Sequence, residues 1–112
     1  MLVYVAGPYT KGDVAVNVRN AILAGDALIA AGHEPFIPHL SHFQHLLCPR
    51  GYKTWMRLDL AWLRVCGALI RLIGESSGAD QEVRDADRLG IPVYYSVEKF
   101  LAAHPSVLHA DL

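Results

Sequence analysis

The sequence has little that would tie it to a polymer, a membrane or an oxidising compartment. Ten basic and eleven acidic side chains give a formal net charge of −1. No excess of positive charge exists to follow a phosphate backbone, so nucleic-acid polymers are not expected partners. No apolar run approaches the roughly 18 residues of a membrane span. The start, MLVYVAGPYTKGD, has neither the basic segment nor the long apolar core of a secretory leader. Cysteine is scarce: Cys48 and Cys66 are the only two, without the CxxC spacing of a redox pair or zinc site. These absences point to a soluble protein in a reducing, cytoplasmic setting. Repeats, low-complexity tracts and linkers are also missing, and 112 residues suit a single domain over 1–112.

What is present is an apolar content of 53% arranged in alternating short runs and helical periods. Leu2 to Ala6 is β-rich and stops at GPYTKGD, where Gly, Pro and Asp mark a turn and Asp13 is placed to cap a helix. From Val14 to Ala31, residues Val18, Ala21, Ile22, Gly25, Leu28 and Ile29 recur at helical spacing, and Gly32 is placed to end that helix. HEPFIPHL reads as a second strand, at a sheet edge because Pro35 and Pro38 lack amide donors. Residues 39 to 53 show no clean period. Thr54 to Val65 reads as a helix with Trp55, Leu58, Trp62 and Val65 on one side. The unbroken run ALIRLI suits a strand buried on both faces. Ala79 to Leu89 is the next helix, closed by Gly90, and IPVYY is a fourth strand before a helix that Ser96 can cap. This alternation predicts an α/β protein: a doubly wound, flavodoxin- or Rossmann-like parallel sheet of roughly four to five strands flanked by helices, in the order 2-1-3-4.

In such sheets ligands bind beyond the carboxyl ends of the strands, where the strand order reverses. Two loops would meet there, GPYTKGD after strand one and GESSGAD after strand three. The amides that open the helix near Ala79 favour an anion close to Ser76, Ser77 and Gly78. Glu82, about one turn into that helix, can turn its carboxylate toward the same crevice, where helix-start amides would keep it ionised. An ionised carboxylate is a nucleophile, although an acidic residue in a first turn also simply favours a helix start.

Taken together, YVAGPYT, GHEPFIPHL, WMRLDLAWLRVC and GESSGADQEVRDADRLGIPV resemble the nucleoside 2-deoxyribosyltransferase-like family, which includes deoxynucleoside 5'-monophosphate N-glycosidases. The resemblance covers most of the chain, and its most specific part is the pairing of Asp59 with Glu82, 23 residues later. It implies Glu82 as nucleophile on the anomeric carbon, Asp59 as the carboxylate that positions the sugar and helps protonate the leaving base, and Tyr4 beside them. It further implies Gly7 and Tyr9 in the substrate site, Ser76 and Gly78 at a 5'-phosphate, and His39 near the base or sugar. Thr10 stands where the monophosphate glycosidases can carry an arginine, leaving that role to Lys11 or to no residue. Gly67 stands where an Asp is common. The implied partner is a small nucleoside or nucleotide, with no cofactor and no resident metal. The implied assembly is a homodimer or higher homo-oligomer whose C-terminal part, around HPSVLHADL, reaches a neighbouring site. Breaking a C1'–N bond builds an oxocarbenium-like centre that one carboxylate can capture while a second carboxyl, of raised pKa, protonates the base. Hydrolase and transferase both remain open, and a non-catalytic nucleotide-sensing module in the same crevice is the alternative.

Two other features allow rival readings. His39, His42, His45 and Cys48 recur every three residues, which suits either a metal site or an amphipathic lid over the crevice. Arg71, inside ALIRLI, needs a partner if buried: Asp59, Glu75 or a ligand phosphate, unless it faces solvent at an edge. Trp55 and Trp62 can stack on a base or join the core, and their spacing suits the core.

Overall fold

The computed structural model describes residues 1–107. Strand β1 (Leu2–Ala6) leads to helix α1 (Val14–Ala30) and strand β2 (Glu34–Phe36). A 3-10 turn (Pro38–Ser41), helix α2 (His42–Leu47) and helix α3 (Tyr52–Leu63) precede strand β3 (Ala68–Arg71). Helix α4 (Ser77–Leu89), strand β4 (Val93–Tyr94) and helix α5 (Val97–Ala103) follow within the described residues. The four strands are all parallel and lie in the order β2-β1-β3-β4, as their residue pattern predicts.

Successive side chains of a strand point to opposite faces, so β1 feeds two cores. Val3 and Val5, with Ala68 and Ile70 of β3, pack against Ala21, Ala24 and Leu28 of α1 and Phe100 of α5. Tyr4 and Ala6, with Leu69, pack against Leu63 of α3 and Ala79 and Ala86 of α4. Each of the fully buried large aliphatics among these contributes about 1.5–3 kcal/mol. The pleat therefore turns Tyr4 toward α3 and α4, the two helices that carry Asp59 and Glu82.

Local chemistry sets the helix ends. Asp13 accepts the amide of Val16 at 3.2 Å, Ser76 that of Ala79 at 3.0 Å and Ser96 that of Lys99 at 3.0 Å. Such caps are each worth about 1 kcal/mol. Gly90 follows α4 at φ +72°, a left-handed position that glycine takes without strain. Helix α4 opens at Ser77, two residues earlier than the apolar pattern suggests, because Ser76 caps it.

Three expectations are corrected. The second strand is confined to Glu34–Phe36: it is an edge strand that tolerates Pro35, but Pro38 starts the 3-10 turn and takes His39 out of the sheet. On α1, Val18, Ala21, Gly25 and Leu28 face the sheet whereas Ile22 and Ile29 face outward. Helix α3 ends at Leu63 rather than Val65; Leu63 is buried, while Leu58 and Trp62 on the helix and Val65 beyond it are exposed. Trp62 stacks on Phe36 with ring centroids 5.2 Å apart instead of entering the core. Both helices carry two apolar stripes, and a 3.6-residue period cannot say which one meets the sheet.

Candidate active site

A cavity of about 490 Å³ opens beyond the carboxyl ends of β1 and β3, a size that suits a small ligand. The loop after β1 gives it Gly7, Tyr9 and Lys11, and the start of α4 gives it Ser76, Ser77 and Gly78. The stretch after β2 adds His39 and His45, while α3 adds Tyr52, Trp55, Met56 and Asp59. Glu82 comes from the next turn of α4. Of the residues to which the family resemblance gives a catalytic or substrate role, all but Tyr4 line this one cavity. Tyr4 is fully buried and reaches the site through Glu82, to whose carboxylate its hydroxyl donates a hydrogen bond.

The two loops are built to touch. Gly74 has φ +123°, and a Cβ there would come within 2.7 Å of Pro8 Cγ, so only glycine lets the post-β3 loop close on the post-β1 loop. Arg71 holds the former loop from inside. Its guanidinium donates to the carbonyls of Leu72 and Gly74 and pairs with Asp80 at 3.0 Å. Neither Asp59 nor Glu75 is its partner, and it is buried on an interior strand rather than solvated at an edge. Glu75 instead lies 3.7 Å from Lys11 across the exposed surface.

Burial governs the ionisation of the carboxyls. It raises Asp59 from 3.8 to about 6. It raises Glu82 from 4.5 to about 7; the Tyr4 hydrogen bond and the Arg71 charge oppose the rise, and the charge of Asp59 adds to it. The two carboxyls thus repel each other within one water-poor site, the arrangement in which one of a pair retains a proton near neutrality. This corrects the expectation that helix-start amides keep Glu82 ionised: desolvation is the largest influence on it. Tyr4 is held neutral, because burial and the neighbouring carboxylates push its ionisation far upward.

The histidines are each engaged differently. His39 Nε2 lies 2.8 Å from the carbonyl of Pro8, which can only accept, so this nitrogen carries the proton. Burial lowers the pKa of His39 and keeps it neutral, with Nδ1 buried and without a partner among the described residues. His42 Nδ1 lies 2.6 Å from the Tyr9 hydroxyl. His45 Nδ1 accepts from Trp55 Nε1 at 2.9 Å and from the Arg50 amide at 3.3 Å. The metal reading is not met: no group of three or more His, Cys, Asp or Glu that could hold a metal occurs among the described residues, and Cys48 is exposed and free. The segment lies at the cavity edge, where His39, Ser41 and His45 line it and the His45–Trp55 bond ties it to α3; Leu40, Phe43, Leu46 and Leu47, whose apolar side was expected to cover the crevice, are exposed and do not line it. Trp55 is therefore a cavity residue and Trp62 is not.

Sequence reasoning missed Arg50, Tyr52 and Met56 as lining residues. Tyr52, Trp55, Met56 and Asp59 lie at i, i+3, i+4 and i+7, so the stripe that contains Asp59 was the signal. Residues 108–112, the end of HPSVLHADL, lie outside the described residues. Among the described residues no helix is long and apolar enough to cross a membrane.

Fold and cavity define a doubly wound α/β protein with a carboxylate-bearing crevice at its topological switch point. The chain belongs to the family described as a domain of unknown function (DUF7768), whose sequence model matches residues 1–96. No curated protein matches it. Among solved structures it is similar to the 2-deoxyribosyltransferase of the psychrotolerant bacterium Bacillus psychrosaccharolyticus, with a TM-score of 0.62 and 19% identity over 83% of this chain and 69% of that one. That protein is described as a biocatalyst for the synthesis of antiviral and antitumoral nucleosides. At this identity the likeness is one of fold.

Proposed function

We propose that the protein cleaves or transfers at the N-glycosidic bond of a nucleoside or nucleoside 5'-monophosphate, with Glu82 as nucleophile. The observation that carries this reading is the pair of buried carboxyls, Asp59 and Glu82, on one cavity, with the Tyr4 hydroxyl bonded to Glu82. The fold shared with a 2-deoxyribosyltransferase supports it.

In the first step ionised Glu82 attacks C1' and the C1'–N bond breaks, its electron pair leaving with the base. Asp59 gives that base a proton from the form of the pair in which it, rather than Glu82, holds the retained proton, the minor form because the Glu82 pKa of about 7 lies above the Asp59 pKa of about 6. Tyr4 donates to the Glu82 carboxylate and orients it. In the second step Asp59, now a carboxylate, takes a proton from water or from an incoming base, which attacks C1' and releases Glu82. Water makes the enzyme a hydrolase and a base makes it a transferase. Neither step needs a cofactor.

The start of α4 with Ser76, Ser77 and Gly78 suits a 5'-phosphate. Ser76 Oγ accepts the cap bond from Ala79, and its own O–H has no acceptor among the described residues, so it can donate to a phosphate. Lys11 and Arg50 line the same cavity and supply positive charge in the absence of an arginine at Thr10. The aromatic and thioether side chains of Tyr52, Trp55 and Met56 suit the flat face of a base.

The test is incubation with ribo- and 2'-deoxynucleosides and their monophosphates, with and without an acceptor base, followed by chromatography. Release or exchange of base by the wild type, lost in Glu82→Ala, supports the reading. Binding without turnover by the wild type would replace it with that of a sensing module.

A further inference from the structure

A second hollow, of about 460 Å³, lies between α3 and α4 beside the candidate active site. Tyr52, Met56 and Ser77 line both, so the two adjoin across the start of α4. The Tyr52 hydroxyl stands at the junction: a Cβ added to Gly78 would lie 3.6 Å from it. Beyond the junction the charge of the lining changes. The first cavity sets Lys11 and Arg50 against Asp59, Glu75 and Glu82. The second is lined by Arg57 of α3 and Arg84 of α4, with Asp85 as its one acidic residue.

Local bonding leaves those arginines available to a ligand. Ser77, Gln81 and Arg84 stand at i, i+4 and i+7 and so share one face of α4. Gln81 donates from Nε2 to Asp85 at 3.1 Å and accepts at Oε1 from Arg84 at 2.9 Å. The second bond draws the Arg84 guanidinium back to the level of Gln81, four residues or about 6 Å along the axis from Ser77. A guanidinium has five N–H donors, so one bond to a neutral amide leaves most of them free. Arg57 makes no hydrogen bond or ion pair among the described residues. Asp85 is buried, and its charge is met by Arg88 as well as by Gln81. The hollow therefore presents two guanidinium groups without a carboxylate partner among the described residues, and the hydroxyls of Ser77 and Tyr52 lie between them and the place proposed for a 5'-phosphate.

Guanidinium and hydroxyl donors suit an anion whose oxygens only accept, and arginine meets phosphate with paired, parallel bonds. A first phosphate at Ser76 and Gly78 occupies the near side of the junction. Further phosphates joined to it pass Ser77 and reach Arg84 and Arg57. We infer that the hollow between α3 and α4 is a subsite for the outer phosphates of a nucleoside 5'-di- or triphosphate, held by Arg57 and Arg84. The inference rests on the glycosidic reading of the first cavity and extends its substrate class to nucleotides with more than one phosphate.

The experiment is calorimetric titration of the full chain carrying Glu82→Gln, which lacks the proposed nucleophile. The probes are the mono-, di- and triphosphates of the four common deoxynucleosides and inorganic tripolyphosphate, without divalent cations. Affinity should rise at least about tenfold from mono- to triphosphate for the base that is bound. Arg57→Ala and Arg84→Ala, each added to this background, should each remove most of that rise, weaken tripolyphosphate binding about as much, and leave the monophosphate within about twofold. Both side chains are exposed, and circular dichroism confirms that each variant is folded. Base release by the wild type, followed in parallel, reports on the reaction alone. Base release beside equal affinity for mono- and triphosphate, or beside a rise indifferent to both arginines, overturns the subsite and leaves the reaction standing. A rise that follows both arginines without any base release upholds the subsite and overturns the reaction. Failure to bind any of the probes overturns the subsite.

Discussion

The hydroxyl of Tyr4 on β1 donates to the carboxylate of Glu82 on α4, joining residues 78 positions apart in the chain. The bond favours the ionised form of Glu82 against the desolvation that otherwise dominates it. Tyr4→Phe keeps the ring, and with it the packing against Phe36 at 5.5 Å between centroids, but removes the donor. Glu82 should then hold its proton to higher pH. The low-pH limb of the rate profile should move upward, with the rate at pH 7 falling on the order of tenfold or more. A pH–rate series of the variant beside the wild type checks both.

Asp59→Asn acts on Glu82 in the opposite sense. The charge of Asp59 raises the Glu82 pKa, so its removal should lower that pKa and move the low-pH limb downward. The variant also loses its proton donor, which costs on the order of 10²–10⁴ in rate for a general acid. The loss should be much smaller for an N7-methylated guanine nucleoside, whose base leaves without being protonated. Comparing kcat on methylated and unmethylated substrates separates lost acid catalysis from a general disturbance of the site.

Stability carries its own signature of the buried carboxyl. The pKa of Glu82 is about 7 in the folded chain against an ordinary 4.5. The folded state therefore holds more protons than the unfolded state between these values, and this contribution to stability is lost as pH rises through about 7. Glu82→Gln removes the penalty. The variant should be more stable than the wild type at pH 8, by on the order of 1–3 kcal/mol, with the gap closing toward pH 4. Urea melts at the two pH values measure it.

Phosphate selection should reside in the cations of the cavity. Lys11→Ala and Arg50→Ala remove the two basic side chains that line it. Each should raise KM for a nucleoside 5'-monophosphate several-fold and leave KM for the matching nucleoside nearly unchanged. Steady-state kinetics on the substrate pair shows whether the effect follows the phosphate.

Much of this arrangement was legible in the sequence because local chemistry and global fold agree. Asp13, Ser76 and Ser96 are capping residues and they cap. ALIRLI reads as a doubly buried strand, and its first four residues are one. The strand order then brings the loops after β1 and β3 together, and with them Gly7, Ser76, Gly78, Asp59 and Glu82. Three things were hidden for physical reasons. The inward face of α3 was masked by a second apolar stripe through Leu58 and Trp62, which Val65 continues in sequence only, because the helix ends at Leu63 unannounced by a breaker. The partner of Arg71 depends on the turn at Gly74, which brings carbonyls and Asp80 to the guanidinium in a way no spacing rule encodes. The ionisation of Glu82 depends on burial that a sequence does not display, so the nearby helix start was given too much weight.

The central claim is that Glu82 bonds to the sugar during turnover. The most direct measurement is mass spectrometry of enzyme quenched in acid while turning over substrate, after tryptic digestion. The account predicts a peptide spanning residues 72–84 that is heavier by one pentosyl group, or by one phosphopentosyl group, with fragmentation placing the addition on Glu82 and no addition in Glu82→Gln. Sustained base release with that peptide never modified, including with a fluorinated sugar that slows the second step, would contradict it.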